Sequence, residues 1–213
     1  MRRVVIVGNA PWRWSERMVE VVRGADLVVA ADGGANHLAR IGVCPAAVVG
    51  DLDSLLPGVR AWVGEERIVP RPDQDHTDLD KTMAYVLAQG TPEEILVLAA
   101  VGGRLDHALE NLGLLGRWAL GGGPTTAFLD EQHRISAVTG HRVVATVPGQ
   151  GFSLLPLGRC EGVSVTGARW PLAGEPLDLL GRTGISNQAL GDSLAITVEH
   201  GVLLLFLGPP GGW

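Results

Sequence analysis

Lysine is almost absent from this sequence. Of 17 basic residues 16 are arginine, and the single lysine, Lys81, closes the most acidic stretch of the chain, Asp73-Gln74-Asp75-His76-Thr77-Asp78-Leu79-Asp80-Lys81. A bias towards arginine explains the others. Lys81 is either a surviving surface residue or a position that needs a compact ammonium instead of a planar fork. Positive charge is scarce overall, with a net charge of −6 and no basic run longer than Arg2-Arg3, which argues against a nucleic-acid surface. The six Trp and one Tyr are scattered, without a visible stacking platform. Cys44 and Cys160 have no metal-like spacing and read as buried free thiols of a reducing cytoplasm. No apolar run approaches the ~20 residues of a membrane helix, and Val4–Val7 is too short for a signal-peptide core. The P-loop, the G-x-G-x-x-G fingerprint after the first strand and the G-x-S-x-G elbow are all missing.

What is present is an ample core: 213 residues, 46% of them hydrophobic, exclude general disorder. Through about residue 130, apolar runs at Val4–Val7, Leu27–Ala30, Ala47–Val49, Ile95–Ala99 and Thr126–Leu129 alternate with helical stretches at Glu16–Arg23, Gly34–Ile41, Leu79–Gln89 and His107–Leu120. This predicts an α/β fold, a mostly parallel sheet with helices on both faces. After Gly140 only strands are expected, at Val143–Val147, Phe152–Leu155, Gly162–Thr166, Ala195–Glu199 and Val202–Leu207, with Trp170–Gly184 a long connection carrying a strand near its end. These form an all-β sandwich or barrel. The expected domains are 1–135 and 136–213.

Parallel sheets bind ligands beyond the carboxyl ends of their strands, and four loops there carry the polar chemistry. Asp32-Gly33-Gly34-Ala35 opens a helix whose N–H groups suit a phosphate; an Asp N-cap before a Gly turn explains it equally. In Gly50-Asp51-Leu52-Asp53-Ser54 the two carboxylates repel unless a cation lies between them, which favours Mg²⁺ over a plain Asx-turn. Thr77 and Asp80 form a near-capping box, so a helix starts at Asp78 with Leu79, Met83, Val86 and Leu87 buried. Asp78 and Lys81 then share another face of its first turns. The fourth loop, Gly102-Gly103-Arg104-Leu105-Asp106-His107, places an arginine fork and an acid before a helix carrying Glu110 and Asn111. Acids for Mg²⁺ and cations for phosphates are the parts of phosphoryl-type transfer from a nucleotide.

In order, Asp32–Ala35, Gly50–Ser54, Asp75–Lys81 and Gly102–His107 resemble the motifs of the thiamine pyrophosphokinase (thiamin diphosphokinase) family, as do Asn111 and Gly184-Ile185-Ser186-Asn187. The resemblance covers both halves of the chain. It implies an α/β catalytic domain, a C-terminal β domain, and transfer of pyrophosphate from ATP to the thiamine hydroxyl with release of AMP. It implies Asp51, Asp53 and Asp78 as Mg²⁺ ligands, and Asp32, Gly33, Gly34, Gln74, Lys81, Arg104 and His107 around ATP. Asp106, Ser186 and Asn187 would face thiamine, at a site between the subunits of a homodimer. Some members stack an aromatic residue on thiamine shortly after the Ser-Asn pair; here Gln188-Ala189-Leu190 follows, leaving Trp170 as a substitute from another loop. The competing readings are a pyrophosphokinase for a hydroxymethyl pterin and a nucleotide-binding module without transfer. Lys81→Arg keeps the charge and changes its shape, so turnover is expected to fall at least about 10-fold; a normal rate in a steady-state AMP assay would make Lys81 a bystander.

Overall fold

A computed structural model describes residues 2–211. The chain divides into two compact units between Asn111 and Leu112. The first holds β1 (Arg3–Val7), α1 (Glu16–Arg23), β2 (Leu27–Ala31), α2 (Gly34–Ala39), β3 (Ala47–Gly50), α3 (Pro57–Val63), β4 (Ile68–Pro70), α4 (Asp78–Ala88) and β5 (Glu94–Leu98). Its strands pair in the order β5-β1-β2-β3-β4, every pair parallel. Val4–Val7 and Val48–Val49 are fully buried, as expected of strands covered on both faces.

Local chemistry sets the helix limits. Ser15 caps α1, accepting from the Met18 N–H, and Thr77 caps α4, accepting from the Asp80 N–H. The near-capping box therefore starts α4 at Asp78, as its spacing predicts. Leu79, Met83 and Val86 are buried as expected, but Leu87 is partly exposed; Lys81 and Thr82 are buried with the core side instead. The short α3, with Pro57 in its first turn, and the three-residue β4 carry too little periodicity to be read from sequence.

A fifth helix, α5 (Leu105–Leu120), leads into β6 (Thr125–Leu129), β7 (Arg134–Ala145), β8 (Gly151–Pro156), β9 (Cys160–Thr166), β10 (Leu172–Leu177), β11 (Gly184–Gln188) and β12 (Ser193–Leu207). β6 pairs antiparallel with β7. The two expected strands at the C-terminal end are one, β12, with a register shift between Val198 and Leu203. The shift lets one strand serve two layers. Before it, β12 pairs with β7 and β9; after it, with β7 and β8. Phe152, Leu154, Val163, Val165, Ile196 and Leu205 fill the core between them, so a sandwich results. Trp170–Gly184, expected as a connection with a strand near its end, runs into β11 at Gly184 but also contains β10 near its start, whose Gly174 and Pro176 hide it and whose pairing with β9 is irregular. Cys160 is buried as expected, whereas Cys44 is exposed; both are free thiols. No helix among the described residues is long and apolar enough to cross a membrane.

Candidate active site

The strand order creates the site. From β1 the chain moves outward through β2, β3 and β4, then returns to lay β5 on the other side of β1. The loops after β1 and β5 therefore leave in opposite directions and open a crevice at the carboxyl ends of the strands. A cavity of about 720 Å³ lies there, within the range of small-ligand sites. Its lining draws on the loops after β1, β2, β3 and β5 and on the start of α4.

Three acids converge in it. Asp32, in the left-handed region (φ 44) at the end of β2, Asp51 after β3 and Asp78 at the start of α4 bring carboxylate oxygens within 4.8 Å of one another. That group is able to hold a metal ion. Asp32 Oδ2 accepts from the Ser54 N–H at 3.1 Å, while its Oδ1 is buried and has no partner. Asp78 Oδ1 accepts from the Asp51 N–H at 3.3 Å and from Lys81 Nζ at 3.2 Å. The Lys81 side chain is only 6% exposed, so the lone lysine is a buried ammonium facing the acids. The two glycines after Asp32 serve packing as well: a Cβ on Gly34 would lie 1.9 Å from the Val7 carbonyl oxygen, and one on Gly33 would strike the Asn9 side chain. Both are buried.

Asp53, paired with Asp51 in the sequence reading, lines the cavity but stands outside the converging trio. Leu52, at φ 70, turns the chain, and Asp53 Oδ1 accepts from the Ser54 hydroxyl at 2.9 Å. Asp32 takes the third corner. Gln74, Lys81, Arg104, Asp106 and His107 all line the same cavity. Arg104 grips Asp106 through Nη2–Oδ2 at 2.5 Å and Nε–Oδ1 at 3.1 Å. That grip holds the Asp106 carboxyl down at about 2. Sequence reasoning missed Asn9, Ala10 and Pro11, which also line the cavity; the only signal was that they follow the first strand.

Ser186 and Asn187 lie in β11 of the second unit. Ser186 is exposed, at φ 59, with its N–H donated to the Ser153 hydroxyl at 3.0 Å. The Asn187 amide clamps Trp170, accepting from its N–H at 3.2 Å and donating to its carbonyl at 2.7 Å. The Trp170 ring is half-exposed, with the Arg169 guanidinium 4.9 Å from its centroid.

Fold and site define a class: an α/β protein with an acid-lined crevice at a topological switch point. Residues 18–121 match the family described as "Thiamin pyrophosphokinase, catalytic domain", and residues 132–203 match "Thiamin pyrophosphokinase, vitamin B1 binding domain". The chain belongs to the thiamin pyrophosphokinase family. It is 28% identical over 209 residues to thiamine pyrophosphokinase 1 of Oryza sativa subsp. japonica, covering 84% of this chain and 78% of the relative. It is 24% identical over 213 residues to thiamine pyrophosphokinase of Bacillus subtilis, covering 96% and 98%. The crystal structure of thiamine pyrophosphokinase from Bacillus subtilis shares the fold, with a TM-score of 0.85 at 22% identity over 97% of this chain and 99% of that one.

Burial, then the neighbouring acids Asp78, Asp53 and Asp51, push the Asp32 carboxyl from 3.8 up to about 6, against the lowering effect of the Ser54 N–H. A carboxyl raised in the folded state weakens the fold as pH climbs from its unfolded to its folded pKa. Without divalent cations the protein is expected to lose stability from about pH 4 to about pH 6 through this group. Asp32→Asn removes that loss, so with a chelator at pH 7 it should be more stable than wild type by on the order of 2 kcal/mol. A variant that melts below wild type under those conditions would contradict the assignment.

Proposed function

We propose that this chain transfers a pyrophosphoryl group from ATP to the hydroxyl of thiamine, with the polyphosphate seated in the crevice at the carboxyl ends of the first unit's strands. The observation that carries the reading is the convergence of Asp32, Asp51 and Asp78 within 4.8 Å beside the buried Lys81. The donor set fits Mg²⁺: three hard carboxylates, one with a buried oxygen that has no protein partner. Mg²⁺ bound there supplies charge neutralisation to the phosphate oxygens. Asp53 lines the same cavity and adds negative charge beside that donor set.

The remaining work belongs to the side chains. Lys81 presents its ammonium from a buried stem, so the charge stays fixed where phosphate oxygens arrive. Arg104 offers a planar fork to the same group, with Gln74 and His107 as further polar contacts, while Gly33 and Gly34 let Asn9 and Val7 pack closely behind Asp32 at the ATP cavity. The thiamine hydroxyl oxygen attacks the β-phosphorus; the new O–P bond forms as the bond to the α–β bridging oxygen breaks, and AMP leaves. Asp106, paired with Arg104, is freed when that fork turns to the phosphates. It then accepts a hydrogen bond from the incoming hydroxyl and orients it, the proton passing to solvent as the O–P bond forms.

The vitamin B1 binding region supports placing thiamine against Ser186 and Asn187, within a β domain spanning 136–213 beside a catalytic domain spanning 1–135. The family resemblance supports a homodimer with the thiamine site between subunits. The free thiols fit the reducing cytoplasm proposed for the reaction. No observation favours a pterin alcohol as acceptor or a binding role without transfer. Incubation with ATP, Mg²⁺ and either thiamine or the pterin alcohol is expected to release AMP with thiamine alone. Asp51→Ala should keep its thermal transition and lose about 100-fold or more in AMP formation; near-normal turnover by that variant would overturn the metal assignment.

A further inference from the structure

The cavity wall after β1 is fastened by a residue with no part in the chemistry described above. On one edge, the Gly8 N–H donates to the Leu98 carbonyl at 2.8 Å and the Ala10 N–H to the Ala99 carbonyl at 3.0 Å. On the other edge the Ala10 carbonyl accepts from His37 Nε2 at 3.0 Å. Trp14 then donates its indole N–H to the His37 backbone carbonyl at 2.9 Å, and Trp12 packs edge-on against Trp14 with centroids 5.8 Å apart. The two bonds fasten residues 10–14 to α2 at both ends.

We propose that His37 is a positioning residue for the nucleotide, a latch that fixes Asn9–Pro11 as one wall of the ATP cavity. The proposal rests on the ATP reading of that cavity. The choice of residue supports it. A carbonyl oxygen only accepts, so Nε2 carries the hydrogen and Nδ1 is bare. Nδ1 is buried without a partner, a cost that a leucine or phenylalanine filling the same space would not incur. What the imidazole offers over such a filler is the bond to Ala10. Burial, then the Arg40 guanidinium, holds the imidazole below its usual pKa, so the neutral ring makes that bond. Asn9, exposed to the cavity, is carried by the same segment and lies over Gly33. A wall already fixed costs nothing to order when ATP binds, whereas a loose one charges its entropy to binding and leaves the chemical step alone.

The test separates position from fold. His37→Ala is expected to raise KM for ATP about five-fold, the worth of one ordinary hydrogen bond, with kcat and KM for thiamine unchanged within two-fold. His37→Gln should restore KM for ATP, because glutamine Nε2 stands the same number of bonds from Cα as histidine Nε2. Calorimetric titration of ATP without thiamine should show the same loss and the same rescue. That readout stands apart from the functional reading: wild type forming no AMP would sink that reading, whereas unchanged ATP affinity in a folded His37→Ala would sink the latch. Equal losses in His37→Ala and His37→Gln, or a fall in kcat for both, would also overturn it. Should His37→Ala fail to fold, Trp14→Phe removes the other bond of the strap; it must weaken ATP binding, and normal affinity there contradicts the proposal.

Discussion

The carboxylate oxygens of Asp32, Asp51 and Asp78 lie within 4.8 Å of one another, where like charges repel and burial adds a desolvation cost to Asp32. Nothing local to a single loop would bring them so close. They are held there because β2, β3 and α4 are adjacent in the first unit. The Thr77 cap fixes where α4 begins, and Ser54 and Lys81 partly offset the charge. The neutralisation is incomplete: Asp32 Oδ1 has no partner and its carboxyl is pushed up to about 6. The fold thus maintains an electrostatic deficit that a divalent cation with phosphate would relieve, and such stored unfavourable interactions belong at functional sites.

The rest of the crevice follows from that deficit. Lys81 is buried beside Asp78, its ammonium bonded to that carboxylate at 3.2 Å, a compact point charge where a guanidinium would present a wider fork. Arg104 stays exposed at the mouth, paired with Asp106, where exposed ion pairs are worth little. It is therefore cheaply transferred to an arriving phosphate, and Asp106 is then released from the partner that holds it acidic. The wall after β1 supplies the remaining side, tied to β5 by backbone bonds and to α2 by His37.

Much of this was legible in the sequence. Apolar runs followed by acidic, glycine-containing loops marked the strand ends, and the Thr77–Asp80 spacing put Asp78 and Lys81 on one face of α4. Three things were not legible. Asp32 reads as a helix cap before two glycines, so the i, i+2 neighbour Asp53 looked like the natural partner of Asp51. Leu52 sits at positive φ between them, with the Asp53 N–H donating to Asp51 Oδ1 at 3.3 Å, and a leucine gives no hint of that turn. The strand order that sets β5 beside β1 is a long-range property, so the part played by Asn9–Pro11 was invisible. The paired Trp12 and Trp14 read as scattered aromatics because the strap they form exists only once α2 lies beneath them. In the second unit, one bent strand read as two because His200-Gly201 interrupts its alternation, although pairing with β7 continues on either side.

The central claim is that Asp32, Asp51 and Asp78 form the divalent site, with Asp53 outside its first ring of ligands. Titration of Mn²⁺, a paramagnetic stand-in for Mg²⁺, in the presence of ATP and followed by electron paramagnetic resonance, tests it most directly. The account predicts tight binding in wild type that is lost in Asp32→Asn and Asp78→Asn and largely kept in Asp53→Asn. Loss of binding in Asp53→Asn with retention in Asp32→Asn would contradict it.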